Sequence, residues 1–182
     1  VDAFLTLGYA PGPGTMFKGI HCLPPGHRLT WNQGLHAMVE PYWHWDAYAK
    51  HDAALKSDAD YQERFDSLLE EAVKLRQMED TPLGAIATGS LESAAILSVM
   101  AKNASKPPLV FTTAFGAELD GVPAGAQVAE KLGCPHEQVV FEPEFMDRLP
   151  ELVWALDQPV ADPHVLMLHL LSCMAKQKVK TV

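Results

Sequence analysis

The chain has few cysteines, few basic residues and no long apolar run. Cys22, Cys134 and Cys173 are its 3 cysteines in 182 residues. An odd number without close spacing offers neither a disulfide framework nor a zinc site, which points to a reducing, cytoplasmic setting. The 14 Lys+Arg stand against 23 Asp+Glu, for a formal net charge of −9. A nucleic-acid footprint needs clustered basic residues, so no nucleic-acid partner is expected. No apolar stretch approaches the ~18 residues of a membrane span, and Val1-Asp2-Ala3-Phe4 lacks the basic flank of a signal peptide; no membrane partner is expected either. What is present is ordinary globular composition, 48% hydrophobic and 20% charged, enough for about one domain with a sizeable core.

The first fifty residues are dominated by turn chemistry. Gly8, Pro11-Gly12-Pro13-Gly14 and Pro24-Pro25-Gly26 allow no helix beyond the first few residues. Arg28 to Trp31 and Leu35 to Val39 read as the two strands of a hairpin, with Asn32-Gln33-Gly34 where a tight turn belongs. Tyr42, Trp43 and Trp45 follow, and their closeness predicts a hydrophobic plug between two modules. His21, His27, His36, His44 and His51 match no metal-ligand spacing. One hairpin is too little for an independent core. Residues 46–57 read as a linker. A long helix follows, with Ser57, Asp58 and Asp60 as capping choices and capping-box spacing from Asp60 to Glu63. Its apolar positions, Tyr61, Phe65, Leu68, Leu69, Ala72 and Leu75, share one face, predicted to pack. Glu70 and Lys74 are spaced for a helical ion pair.

From Pro82 the chain alternates. Strands are predicted at Leu83–Ala87, Leu109–Phe115 and Glu137–Phe141, with a fourth starting at Lys178–Val182. Helices are predicted at Leu91–Ala101, from about Val122 to Leu132 before Gly133, from Pro143-Glu144 through Leu156, and through Leu166 to Met174. Such alternation predicts an α/β fold, a parallel sheet with helices on both faces, preceded by a short β-hairpin. Ligands in such folds sit at the carboxyl ends of the strands. The stretch Leu83-Gly84-Ala85-Ile86-Ala87-Thr88-Gly89-Ser90-Leu91-Glu92-Ser93-Ala94 lies there as strand, hydroxyl-rich turn and helix start. Backbone N–H groups and the positive helix end make it a phosphate cradle; Thr88 and Ser93 add hydroxyls, and Gly89 allows close approach. It is neither Gly-x-Gly-x-x-Gly nor a Walker loop.

Thr88-Gly89-Ser90-Leu91-Glu92-Ser93 resembles the PP-loop of the ATP-pyrophosphatase ligases, Ser-Gly-Gly-x-Asp-Ser. The flanks narrow the likeness. Asp80-Thr81-Pro82-Leu83-Gly84-Ala85, Phe4-Leu5-Thr6-Leu7-Gly8-Tyr9, Met16-Phe17-Lys18-Gly19-Ile20, Leu23-Pro24-Pro25-Gly26-His27, Val128-Ala129-Glu130-Lys131-Leu132-Gly133 with His136, and Leu156-Asp157-Gln158-Pro159-Val160-Ala161-Asp162-Pro163 are similar, in order, to the glutamine-hydrolysing asparagine synthetases. The resemblance implies an adenine nucleotide alpha hydrolase-like fold. Residues 1–45 would be the end of a glutaminase domain, 46–57 a linker, and 58–182 the first part of the synthetase domain. The implied reaction is ATP-dependent amidation of aspartate through β-aspartyl-AMP, with ammonia from glutamine. It implies ATP and Mg²⁺ as cofactors, small-molecule partners (ATP, aspartate, ammonia), and leaves a homodimer open. Ala87, Thr88, Gly89, Ser90, Leu91, Glu92, Ser93 and Thr113 would bind ATP and pyrophosphate, Ala87 and Thr113 at the adenosine, and Glu92 would help hold Mg²⁺. No catalytic residue of the family falls within the chain. The glutaminase cysteine belongs upstream, and the second signature, Ser-Gly-Asp/Glu-Gly-x-Asp-Glu, belongs after Val182. On that register the chain is a fragment and inactive alone.

The departures are Thr88 for Ser, Ser90 for Gly and Glu92 for Asp, with Ala94 in place of a frequent hydroxyl and Thr113-Ala114 in place of an apolar-Gly pair. Ser90 adds a Cβ that is strained if the position needs positive φ; Glu92 moves the carboxylate by one methylene. Two alternatives follow: a relative adenylating another carboxylate, as β-lactam synthetases and lasso-peptide cyclases do, or a non-catalytic homologue with a degenerate PP-loop.

Overall fold

The computed structural model describes residues 1–34, 36–47, 57–77, 81–115 and 124–182. Leu35, most of the expected 46–57 linker with His51, Asp80 and the expected helix start at Val122 lie outside them. The chain divides into two compact units, Val1–Leu55 with Val153–Asp162, and Lys56–Leu152 with Pro163–Val182.

In the first unit, α1 (Asp2–Leu7) stops at Gly8, whose φ of 78° forms a left-handed cap with its N–H on the Phe4 carbonyl. The Gly8 carbonyl accepts from the Ala161 N–H at 2.9 Å. β1 (His27–Thr30) and β2 (Met38–Pro41) form the expected antiparallel hairpin. Thr30 faces Met38, so the connection is seven residues rather than a tight turn. Arg28 opposes Glu40, and the two side chains form an ion pair at 3.0 Å. Trp43 and Trp45 stack obliquely at 5.8 Å between centroids, while Tyr42 and Trp45 stay exposed. The Tyr42 and Trp43 backbones both donate to the Gly26 carbonyl, which ties down the main chain and leaves the rings outside.

The second unit opens with α2 (Asp58–Lys74). Its capping box is Ser57 with Asp60, three residues earlier than the spacing from Asp60 to Glu63 predicts. The apolar stripe also differs from expectation. Tyr61, Phe65, Leu68 and Leu75 are exposed, and Val73 is the buried position, with Leu69 packed beside it. Periodicity marks where apolar residues align, but the neighbouring elements decide which face is covered. Glu70 pairs with Lys74 at 2.9 Å as expected and also reaches Lys102 at 3.6 Å. Hydrogen bonding to Lys74 and the charge of Lys102 hold the Glu70 carboxyl below its usual range.

The sheet is parallel, ordered β3 (Gly84–Ile86), β4 (Leu109–Phe115), β5 (His136–Phe141). On the other side of β3, Leu83 forms a parallel bridge with Thr181, so the fourth strand begins there. Alternation along the strands builds two cores. Ala85, Ala87 and Val110 face Val73, Leu97, Met100 and Ala129 of α2, α3 (Leu91–Asn103) and α4 (Ala124–Lys131). Phe111, with Ile86 and Val139, faces Leu171 and Ala175 of α6 (His164–Lys178). Helices therefore cover both faces, as predicted. The helix expected from Pro143 is instead a 3₁₀ segment, Pro143–Arg148, followed by α5 (Leu149–Leu156). Pro150 has no N–H for the Met146 carbonyl, and the Leu149 N–H takes it from three residues on. Among the described residues no helix is long and apolar enough to cross a membrane.

Candidate functional site

The connections locate the site. From β3 the chain steps through α3 to β4 and through α4 to β5. It then returns behind the other face through α6 to the far side of β3. Strand order thus reverses beside β3, and the carboxyl end of β3 opens at the crevice where ligands of such sheets bind. Residues 87–93 occupy that position.

The loop is shaped by one glycine and its neighbours. Gly89 carries φ of +85°, and a Cβ there would come within 2.6 Å of the Ala124 methyl. Gly125 sits over the loop as closely, since its own added Cβ would meet the Ala87 carbonyl oxygen at 2.3 Å and Thr112 Cγ2 at 3.0 Å. The glycine at 89 therefore serves packing against α4, beyond the ligand approach read from sequence. Gly125 was missed by that reading, although a glycine at a helix start flanked by alanines is the usual sign of close approach. Ser90 is not strained. Its φ of −71° and ψ of 159° are ordinary extended backbone, and it is the N-cap of α3. The strain anticipated there falls on Gly89, which tolerates it.

The hydroxyls converge. The Ser90 Oγ accepts from the Ser93 N–H at 3.2 Å, and the Ser93 Oγ donates to the Ser90 carbonyl at 3.0 Å. Thr88 Oγ1 lies 3.4 Å from both the Ser93 Oγ and the Ser90 N. The Ser90 hydroxyl donates to the Ser93 Oγ at 3.4 Å. The exposed Glu92 carboxyl is held below its usual range, first through its own backbone N–H and then through Ser90. The Ala94 N–H makes the first bond within the helix, to the Ser90 carbonyl. Of the three N–H groups ahead of it, that of Ser93 is engaged by the Ser90 side chain.

The other expected residues are placed unequally. Thr88, Ser90 and Ser93 come together, with Glu92 beside them, while the Leu91 side chain points into solvent, 83% exposed. Ala87 is packed in the first core, so it presents little side chain to a ligand. Thr113 lies two residues beyond Phe111, the partner of Ile86. Continued, that register sets Thr113 beside Thr88 at the strand ends. Its hydroxyl donates to the Met167 sulfur of α6 at 3.9 Å, a neighbour that no local pattern in the sequence marks. On the opposite face the buried Thr112 bonds His136 Nε2 at 2.7 Å.

Residues 64–182, the loop included, match the family model for asparagine synthase. The chain belongs to the asparagine synthase family. It is 30% identical over 182 residues to a putative glutamine-hydrolyzing asparagine synthetase of Mycobacterium tuberculosis (strain ATCC 25618 / H37Rv), covering 98% of this chain and 28% of that protein. Asparagine synthetase (glutamine-hydrolyzing) 1 of Bacillus subtilis (strain 168) is 26% identical over 186 residues, covering 98% and 28%. A putative glutamine-hydrolyzing asparagine synthetase 2 of Methanocaldococcus jannaschii is 24% identical over 193 residues, covering 100% and 35%. The chain thus spans about a third or less of the relatives it matches. The parallel sheet with the loop at the end of β3 is consistent with the PP-loop fold of this family.

Proposed function

We propose that this chain is the nucleotide-binding part of an asparagine-synthetase-type ligase. In that reading residues 1–45 close a glutaminase domain, 46–57 link, and 58–182 begin the synthetase domain. The observation that carries it is the hydroxyl-rich turn 88–93, which enters α3 at the switch point of the sheet inside the region matched to the family. ATP is a substrate. An oxygen of the aspartate β-carboxylate attacks the α-phosphorus, the bond to the bridging oxygen breaks, and pyrophosphate leaves. Ammonia from glutamine then attacks the activated carbonyl and AMP leaves.

The residues present suit the first of these steps. Backbone N–H groups and the positive end of α3 are aimed where pyrophosphate charge develops, and fixed dipoles of this kind stabilise a leaving group. Thr88 and Ser93 bring hydroxyl donors, and Thr113 flanks them on β4 for the nucleoside. The loop's donors are all oxygens, with one carboxylate, Glu92. That set fits Mg²⁺, which takes one or two carboxylates and fills its shell from phosphate and water. Glu92 would hold the ion, which would neutralise phosphate charge.

The test is ATP–pyrophosphate exchange by the full-length protein. Exchange dependent on aspartate supports the reading. Exchange with a different carboxylic acid and none with aspartate moves the protein to an acceptor of another class. Mg-ATP binding without exchange leaves a binding role, and a bound ATP analogue whose phosphates lie away from residues 88–93 overturns the site.

A further inference from the structure

The two positions that depart most from the family pattern, Ser90 and Glu92, are the N-cap and a first-turn residue of α3. We propose that Ser90 caps its own cradle. In the free protein the Ser90 hydroxyl holds the Ser93 N–H that a pyrophosphate oxygen would otherwise take, so the ligand binds there only by displacing it. This rests on the nucleotide reading above and adds the regulation of that site.

The geometry makes the competition direct. Ser93's N–H is met by Ser90 Oγ at 3.2 Å, and an N–H has one proton to give. With glycine at position 90, as in the family pattern, no side chain could reach it. The Glu92 carboxylate places a negative charge on the end of α3, where the helix favours an anion. The loop cannot make room by shifting toward α4, because Gly89 is already seated against Ala124 and the Gly125 backbone. The Ser90 side chain must rotate away instead.

Ser90→Ala removes the hydroxyl while keeping the Cβ, and Ser90→Gly removes both. Inorganic pyrophosphate and Mg-ATP are titrated calorimetrically into the full-length protein and both variants, and amide exchange is followed at Ser93. We expect Ser90→Ala to bind pyrophosphate about tenfold more tightly, which at about 1.4 kcal/mol per decade is the worth of one side-chain cap. The Ser93 amide should exchange faster in the free variant and regain protection with ligand. A merely structural cap predicts the reverse, because its loss would loosen the loop and weaken binding. Affinity unchanged or reduced in Ser90→Ala, with wild-type protein still binding, overturns self-capping and leaves the nucleotide reading standing. If neither variant nor the wild-type protein binds pyrophosphate or Mg-ATP, both fall, since the cradle stays empty with its cap removed.

Discussion

A carboxylate that accepts from its own amide and a neighbouring hydroxyl is stabilised in its charged form, and at Glu92 the amide contributes most, then Ser90. The folded-state pKa therefore lies below the unfolded value. The interaction is complete above the ordinary carboxylate range and is lost as pH falls through the lowered folded value. Carbon-detected NMR titration should place the Glu92 midpoint below that of an unperturbed glutamate, and Ser90→Ala should move it back upward. An unmoved midpoint in the variant would show that Ser90 gives the carboxylate nothing. Gly125 supplies a second residue-scale test. Alanine is the better helix former by about 1 kcal/mol, so Gly125→Ala would stabilise an unobstructed α4. Here the new methyl would meet the Ala87 carbonyl at 2.3 Å, and a backbone oxygen cannot rotate aside. Overpacking of about 1–3 kcal/mol should win, giving a lower urea midpoint; a raised one would mean that α4 slides freely past the loop.

At the scale of elements, α2 shows how far pattern and packing can part. By composition Phe65 belongs to its apolar stripe and Val73 does not, yet Val73 is 7% and Phe65 61% exposed. Val73→Ala should therefore cost about 1–3 kcal/mol, and Phe65→Ala stay within about 0.5 kcal/mol, inverting the usual order of the two side chains. Denaturant unfolding of the two variants decides it, and a large loss from Phe65→Ala would mean that the stripe is covered in solution. The strands were more legible. Leu109 to Phe115 could be read to the residue, because a β-branched and aromatic run between Pro108 and a polar segment has one plausible conformation. The turn at 88–93 between β3 and α3 was legible for the same local reason. What could not be read was set by distant neighbours: Ala124 and Gly125 closing on the loop, and Met167 reaching Thr113. Which of the pattern's two glycine positions carries positive φ could not be read either, because they look alike in sequence; only Gly89 does.

At the scale of the whole chain, a phosphate cradle at this loop would have to draw an anion toward an acidic chain. The formal net charge is −9, and no Lys or Arg occurs between Thr81 and Ala101. Lys102, the first basic residue after the loop, is paired with Glu70 at 3.6 Å. Attraction at the loop is therefore short-ranged, from N–H groups and hydroxyls, while the longer-ranged field repels phosphate. Salt acts on these two parts differently. With a Debye length of about 10 Å at 0.1 M, added NaCl screens the repulsion and leaves the hydrogen bonds largely intact. Pyrophosphate affinity measured without metal should accordingly rise a few-fold as NaCl increases from low ionic strength. The slope should flatten when Mg²⁺ accompanies the ligand and cancels part of its charge. A site built on lysine and arginine would show the opposite sign, so a steep fall in affinity with salt would place basic groups at the phosphates and remove the backbone cradle as the main source of binding.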